Sequence, residues 1–216
     1  MILSPGRGYI FVHIPKTGGT AMALALEARA MKDDVMIGDT PKARKRRRRV
    51  EATRARGRVW KHSMLSDIDG LYTVDEIAPL FAFTLVRNPW DRIVSYYHWL
   101  RDQRFAHPAV TLAQSYDFAG FLEQTHTQDS LRANPASRYM TRADGTEQCQ
   151  AYIRIEAFEQ DVVPLHAHLG FLLTLPRANM SDRLRDYRRY YTDRTAAIVA
   201  QICAEDIARF EYGFDP

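Results

Sequence analysis

Apolar positions along the chain alternate between short continuous runs and stretches at helical spacing. Residues 8–14, GYIFVHI, are rich in β-branched and aromatic side chains and predict a buried strand that Pro15 ends. Residues 20–31 are strong helix formers and predict a helix. Residues 32–58 are polar and irregular, with room for a basic helix over 42–56, and RVWKHS at 58–63 reads as a short second strand. LFAFTLVR at 80–87 predicts a strong buried strand. Asn88 and Pro89 supply a cap and a first-turn proline for a helix over 89–103. Further elements follow: a helix over 117–125, an alternating strand over 150–156, a helix over 157–169 ending at Gly170, a loop, and a long amphipathic helix over 194–214. Strands that alternate with helices place the chain in the α/β class, with a mainly parallel sheet flanked by helices.

The length of 216 residues fits one domain over 1–216, and 46% hydrophobic residues can fill a core, which excludes a wholly disordered chain. The formal charge of +4 hides an asymmetry. Residues 42–58, KARKRRRRVEATRARGR, hold ten Lys/Arg and one Glu, a net +9, so the remainder carries −5. This basic insertion suits an anionic partner such as nucleic acid, an acidic polysaccharide or acidic lipid, or else it is a solvated loop. The two cysteines, Cys149 and Cys203, form no CxxC pattern, which argues against a disulfide framework or a thiolate metal site. No apolar stretch of about 18 residues or signal-like leader occurs, so the expectation is a soluble, cytoplasmic protein without a transmembrane segment.

Two stretches carry the chemistry. In IPKTGGT, residues 14–20, a strand end leads through two glycines into a helix. Ligands collect at the carboxyl ends of parallel strands, and the first amides of a helix point at them with the positive end of the dipole. Gly18 and Gly19 leave room for an anion near the main chain, Thr17 and Thr20 add hydroxyls, and Lys16 adds a charge. A nucleotide triphosphatase loop would place its lysine after the last glycine, whereas Lys16 precedes the first. A purely structural turn is the other reading of this stretch taken alone. In VRNPWDRIVSYY, residues 86–97, Arg87 stands at a strand end where its guanidinium can fork onto an anion, and Ser95 returns to the same helix face as Asn88. Alone, Arg87 reads equally as a surface ion pair and Ser95 as an ordinary helix serine. Two anion-ready strand ends in one sheet suggest one ligand with phosphates at both ends.

IPKTGGT together with VRNPWDRIVSYY resembles the sulfotransferases that use 3′-phosphoadenosine 5′-phosphosulfate (PAPS), in particular the carbohydrate branch that includes heparan sulfate 2-O-sulfotransferase and its bacterial relatives. RIEAFEQDVVPLHAHLGF and DIARFEYGF are similar to that branch as well. The resemblance implies a P-loop-kinase-like sulfotransferase fold, with PAPS as co-substrate and no metal. It implies that Lys16, Thr17, Gly18, Gly19, Thr20 and Ala21 surround the 5′-phosphosulfate and that Arg87 and Ser95 hold the 3′-phosphate. Ala21 departs from the family's pattern, where a hydroxyl residue is common, but its backbone amide can still donate.

Sulfuryl transfer needs a base for the acceptor hydroxyl, and histidine is the usual base near neutral pH. Of the seven histidines, His13 falls inside the first strand and is expected to face the core. KHS at 61–63 resembles the segment that carries the base in the carbohydrate branch, which makes His62 the catalytic base by resemblance. Lys16 would donate to the oxygen that bridges sulfur and phosphorus, where negative charge develops. Trp90, Tyr96, Tyr97 and Trp99 on one helix are expected in the core, and Asn179, Ser181 and Arg183 are further candidates for reaching the nucleotide. The expected acceptor is a hydroxyl of a carbohydrate, with the basic segment beside the acceptor cleft favouring an anionic glycan. A nucleotide or small-molecule kinase of related fold, and a nucleic-acid binder using residues 42–58, are the alternatives. No aromatics interleave with those arginines to stack on bases.

Overall fold

The computed structural model describes residues 1–50, 54–176 and 183–215. It divides into two compact units, residues 1–86 with 136–179 and residues 87–135 with 180–216.

The first unit is built on a five-stranded sheet of strands β1 (Ile2–Ser4), β2 (Tyr9–Val12), β3 (Val35–Met36), β4 (Phe81–Val86) and β5 (Ala151–Arg154), in the order β3-β1-β2-β4-β5. β2, β4 and β5 run parallel, as expected of the α/β pattern, while β1 pairs antiparallel with β2 and β3 and makes the sheet mixed. Val12 stands opposite Thr84, two residues before β4 ends, so both strands finish at the same end of the sheet. The Thr84 hydroxyl donates to the Val12 carbonyl at 2.8 Å and pins that register. Tyr9, Phe11, Phe83 and Leu85 are fully buried and form the core with Met22 and Leu26 of the helix Gly19–Ala28.

The structure departs from the sequence reading at several places in this unit. The helix after β2 runs Gly19–Ala28 and stops before Met31. The basic stretch is helical over Pro41–Arg46, followed by a single 3-10 turn over Arg47–Arg49, and residues 51–53 of the expected helix lie outside the described residues. Residues 58–63 are not a strand: Ser63 folds them into a turn by accepting the Trp60 amide at 2.9 Å, and its hydroxyl lies 2.8 Å from the Arg58 and Trp60 carbonyls.

The second unit is helical. Its first helix, Pro89–Arg101, is capped by Asn88, whose side chain accepts the Trp90 amide at 3.1 Å and donates to the Gly213 carbonyl at 2.8 Å. Trp90, Tyr97, Phe118 and Phe121 pack in its core, while Tyr96 and Trp99 lie partly buried at the margin. The expected long C-terminal helix is two helices, Asp193–Ile202 and Ala204–Phe210, broken at Cys203 and closed by Glu211 in the left-handed region at φ +56°. Among the described residues, no helix is long and apolar enough to cross a membrane, and no group of three or more His, Cys, Asp or Glu is placed to hold a metal.

Candidate active site

The loop between β2 and the helix Gly19–Ala28 is tight because Lys16 and Gly18 both take positive φ, +66° and +84°. Left-handed residues in such a turn swing main-chain N–H groups to one side, the backbone shape that receives anions. A lysine in this region is strained and is held there by its surroundings.

The two glycines serve different ends. Gly18 is exposed and is needed for its backbone angle, since a Cβ there would meet its neighbours at ordinary distances. Gly19 is buried, and a Cβ would come 2.0 Å from Cδ2 of the His13 ring. Whatever approaches its main chain, Gly19 is also needed to make room for the His13 ring. Thr17 is 1% exposed and donates its hydroxyl to the Ile14 carbonyl at 2.9 Å, so that hydroxyl braces the loop. The Ala21 amide, expected to donate to the ligand, bonds to the Gly18 carbonyl at 3.0 Å as part of the first helical turn. Thr20 is half-buried in that turn.

Gly19→Ala forces the His13 ring out of a packed interior. It is expected to lower stability by about 1–3 kcal/mol, seen as a reduced Tm, whereas Gly18→Ala costs about 1 kcal/mol through its backbone angle alone. Equal Tm values for Gly19→Ala and the unmodified protein would contradict the packing account.

His13 faces the interior as expected, 7% exposed, and its carbonyl accepts from Nδ1 of His62 at 2.7 Å. A carbonyl offers no proton, so Nδ1 of His62 carries the hydrogen, and in the neutral ring the lone pair sits on Nε2. The two imidazoles also meet edge to face, with centroids 4.5 Å apart. His62 is thus tied to the residue just before the IPKTGGT stretch. Burial above all, and then the nearby charge of His62 and other cations, hold His13 well below the usual histidine range. It stays neutral beside Lys16 at physiological pH. Lys61 pairs with Asp39 at 2.9 Å, and its hydrogen bond keeps the Asp39 carboxyl below the usual carboxylate range.

In the second unit, Arg87 donates through Nε and Nη2 to one oxygen of Asp91, at 2.8 and 2.5 Å. Arg183 donates to the other oxygen at 2.6 Å. All three side chains are at most 17% exposed. Asp91 therefore aligns two guanidinium groups, and Ser95, one further turn along the helix, is buried on it. The sequence reading missed Asp91, although its spacing four residues after Arg87 is the available signal. It also missed the partnership of His13 with Gly19, which no spacing rule reveals. Asn179 and Ser181 lie outside the described residues.

A sequence profile described as the Sulfotransferase family matches residues 1–213. No curated protein matches the chain. Among solved structures, the mouse sulfotransferase SULT7A1 complexed with PAP is similar at a TM-score of 0.48 and 14% identity, over 98% of this chain and 91% of that one.

Proposed function

This chain belongs to the sulfotransferase family, the PAPS-dependent enzymes that its motifs resemble, and on that premise we propose that it sulfates a hydroxyl of an anionic carbohydrate with His62 as the base. The observation that carries the assignment is the bond from His62 Nδ1 to the His13 carbonyl, which leaves Nε2 as the proton acceptor. The acceptor oxygen loses its proton to Nε2 and forms a bond to sulfur. The bond from sulfur to the bridging phosphate oxygen breaks, and Lys16 stabilises the charge left on that oxygen. Thr17, Gly18, Gly19, Thr20 and Ala21 shape the phosphosulfate loop, with the main chain of Gly18–Thr20 as its donor surface. Arg87, held by Asp91, and Ser95 take the 3′-phosphate. The whole of 1–216 acts as one sulfotransferase domain.

Support for an anionic acceptor comes from the basic segment. Glu27, buried, accepts the Lys42 amide at 3.0 Å and the Thr40 hydroxyl, and so caps the helix Pro41–Arg46 and fixes it to the first unit. Lys42 and Arg46 are spent on carbonyls of Glu27 and Met31, while Arg44, Lys45, Arg47 and Arg48 stay exposed. The helix begins two residues after Asp39, the partner of Lys61, and so adjoins the His62 turn.

Incubation with sulfur-labelled PAPS and a panel of glycans, phenols and lipids tests this reading. Label is expected on acidic glycans, with turnover that falls as salt rises. Label confined to phenols or lipids, or turnover of neutral and acidic glycans alike at every salt concentration, would contradict it.

A further inference from the structure

Beside the proposed base, one large ring remains in solvent. Trp60 is 38% exposed, and its indole meets the His62 imidazole edge-on, with centroids 5.0 Å apart and planes at 84°. The Arg58 guanidinium lies over the same indole, 4.4 Å from its centroid. Ser63, fully buried, ties the main chain of Arg58 and Trp60 into the turn that also carries His62. Beyond that turn the Gly57 amide bonds to the Asp67 carbonyl at 3.0 Å, which anchors the segment from the other side. Plate, cation and base are thus parts of one braced turn.

An indole left half in water gives up burial that a packed position would supply. A guanidinium stacked on it adds attraction to the ring and presents donors in a fork suited to a carboxylate or sulfate. The combination is an apolar plate with a positive charge at its side, next to a nitrogen that takes protons. A pyranose ring has the complementary form: one face of C–H bonds, a rim of hydroxyls and, in an acidic sugar, an anionic group on that rim. Lys61, the other cation of the turn, is paired with Asp39, whereas Arg58 sits exposed on the indole.

We infer that Trp60 and Arg58 form an acceptor subsite that stacks a sugar ring on the indole and reads its acidic group with the guanidinium, presenting a neighbouring hydroxyl to His62. This rests on the reading of His62 as the base. Trp60 is then the residue that selects for a sugar, and Arg58 the one that selects for its charge.

Calorimetry on the full chain with adenosine 3′,5′-bisphosphate present tests the subsite apart from the chemistry. The probes are a hexasaccharide of alternating glucuronic acid and N-acetylglucosamine, the same oligosaccharide with its carboxyls reduced to alcohols, and para-nitrophenol. The acidic sugar is expected to bind about tenfold more tightly than the reduced one, a difference of about one charge-assisted contact. Trp60→Ala is expected to weaken both sugars about tenfold, as loss of a stacking partner does, with Tm and bisphosphate affinity unchanged. Trp60→Phe recovers part of that loss. Arg58→Ala removes the preference for the acidic sugar and spares the reduced one. Unaltered sugar binding by Trp60→Ala, no sugar binding by the unmodified protein, or para-nitrophenol bound more tightly than either sugar would overturn the inference. His62→Ala, run alongside, keeps these affinities; sulfate transfer by that variant would overturn the base assignment while leaving the subsite standing on its binding data.

Discussion

His62→Ala is expected to lower sulfate transfer by about 10²–10⁴-fold, the usual contribution of a positioned general base, and to leave binding of adenosine 3′,5′-bisphosphate unchanged. The size follows from the geometry. His62 Nδ1 donates to the His13 carbonyl at 2.7 Å, so the ring is held in the tautomer whose Nε2 accepts a proton. The His13 ring packs against it at 4.5 Å and is itself fixed by the space at Gly19. Neither bond nor packing involves the main chain of residues 16–18, so the loop that would hold the phosphosulfate keeps its shape when the imidazole is removed. His62→Asn separates the two properties of the ring, because its amide can restore the bond to His13 without supplying a base. It is expected to be as inactive as His62→Ala. Single-turnover transfer measured at saturating PAPS checks both variants, and an active His62→Ala would dismiss His62 as the base.

Arg87→Ala is expected to weaken the bisphosphate by about 100-fold or more, since it removes a charge-assisted, forked donor from a site of low exposure. Asp91 engages two of the five N–H groups of this guanidinium and sets its plane. Arg87→Lys keeps the charge and loses the fork, so it is expected to recover only part of the affinity. The same substitution should leave adenosine 5′-phosphate, which lacks the 3′-phosphate, bound as in the unmodified protein. Calorimetric titration of both nucleotides checks this.

The parts of the fold that were legible in the sequence are those where one local rule suffices. GYIFVHI and LFAFTLVR are apolar runs long enough to be central strands, and Asn88-Pro89 is a cap whose chemistry is local. β1 was not legible because three residues, Ile2–Ser4, carry no periodicity, and although their pairing with β2 is a local hairpin, their pairing with β3 joins residues more than 30 positions apart. RVWKHS alternates like a strand, yet the hydroxyl of Ser63 competes for its main chain and wins. The break at Cys203 was hidden because apolar spacing continues through it on both sides.

The site divides along the same line. The tight loop after β2 and the capped helix after β4 were legible at strand ends, because glycine and proline spell out that main-chain geometry. The division of labour between Gly18 and Gly19 was not, since it depends on where the ring of His13 lies. Nor was the role of Asp91, whose partner Arg183 stands 92 residues away. Charge pairs across such separations leave no pattern in one sequence.

We propose that Lys16, in the loop after β2, meets the 5′-phosphate end of the nucleotide and that Arg87 meets its 3′-phosphate. Titrating adenosine 3′,5′-bisphosphate and adenosine 5′-phosphate into the unmodified protein, Lys16→Ala and Arg87→Ala tests it most directly. The bisphosphate should bind more tightly than the monophosphate in the unmodified protein, Lys16→Ala should weaken both, and Arg87→Ala should erase the difference between them. Equal affinities for the two nucleotides in the unmodified protein, or a bisphosphate preference that survives in Arg87→Ala, would contradict the claim.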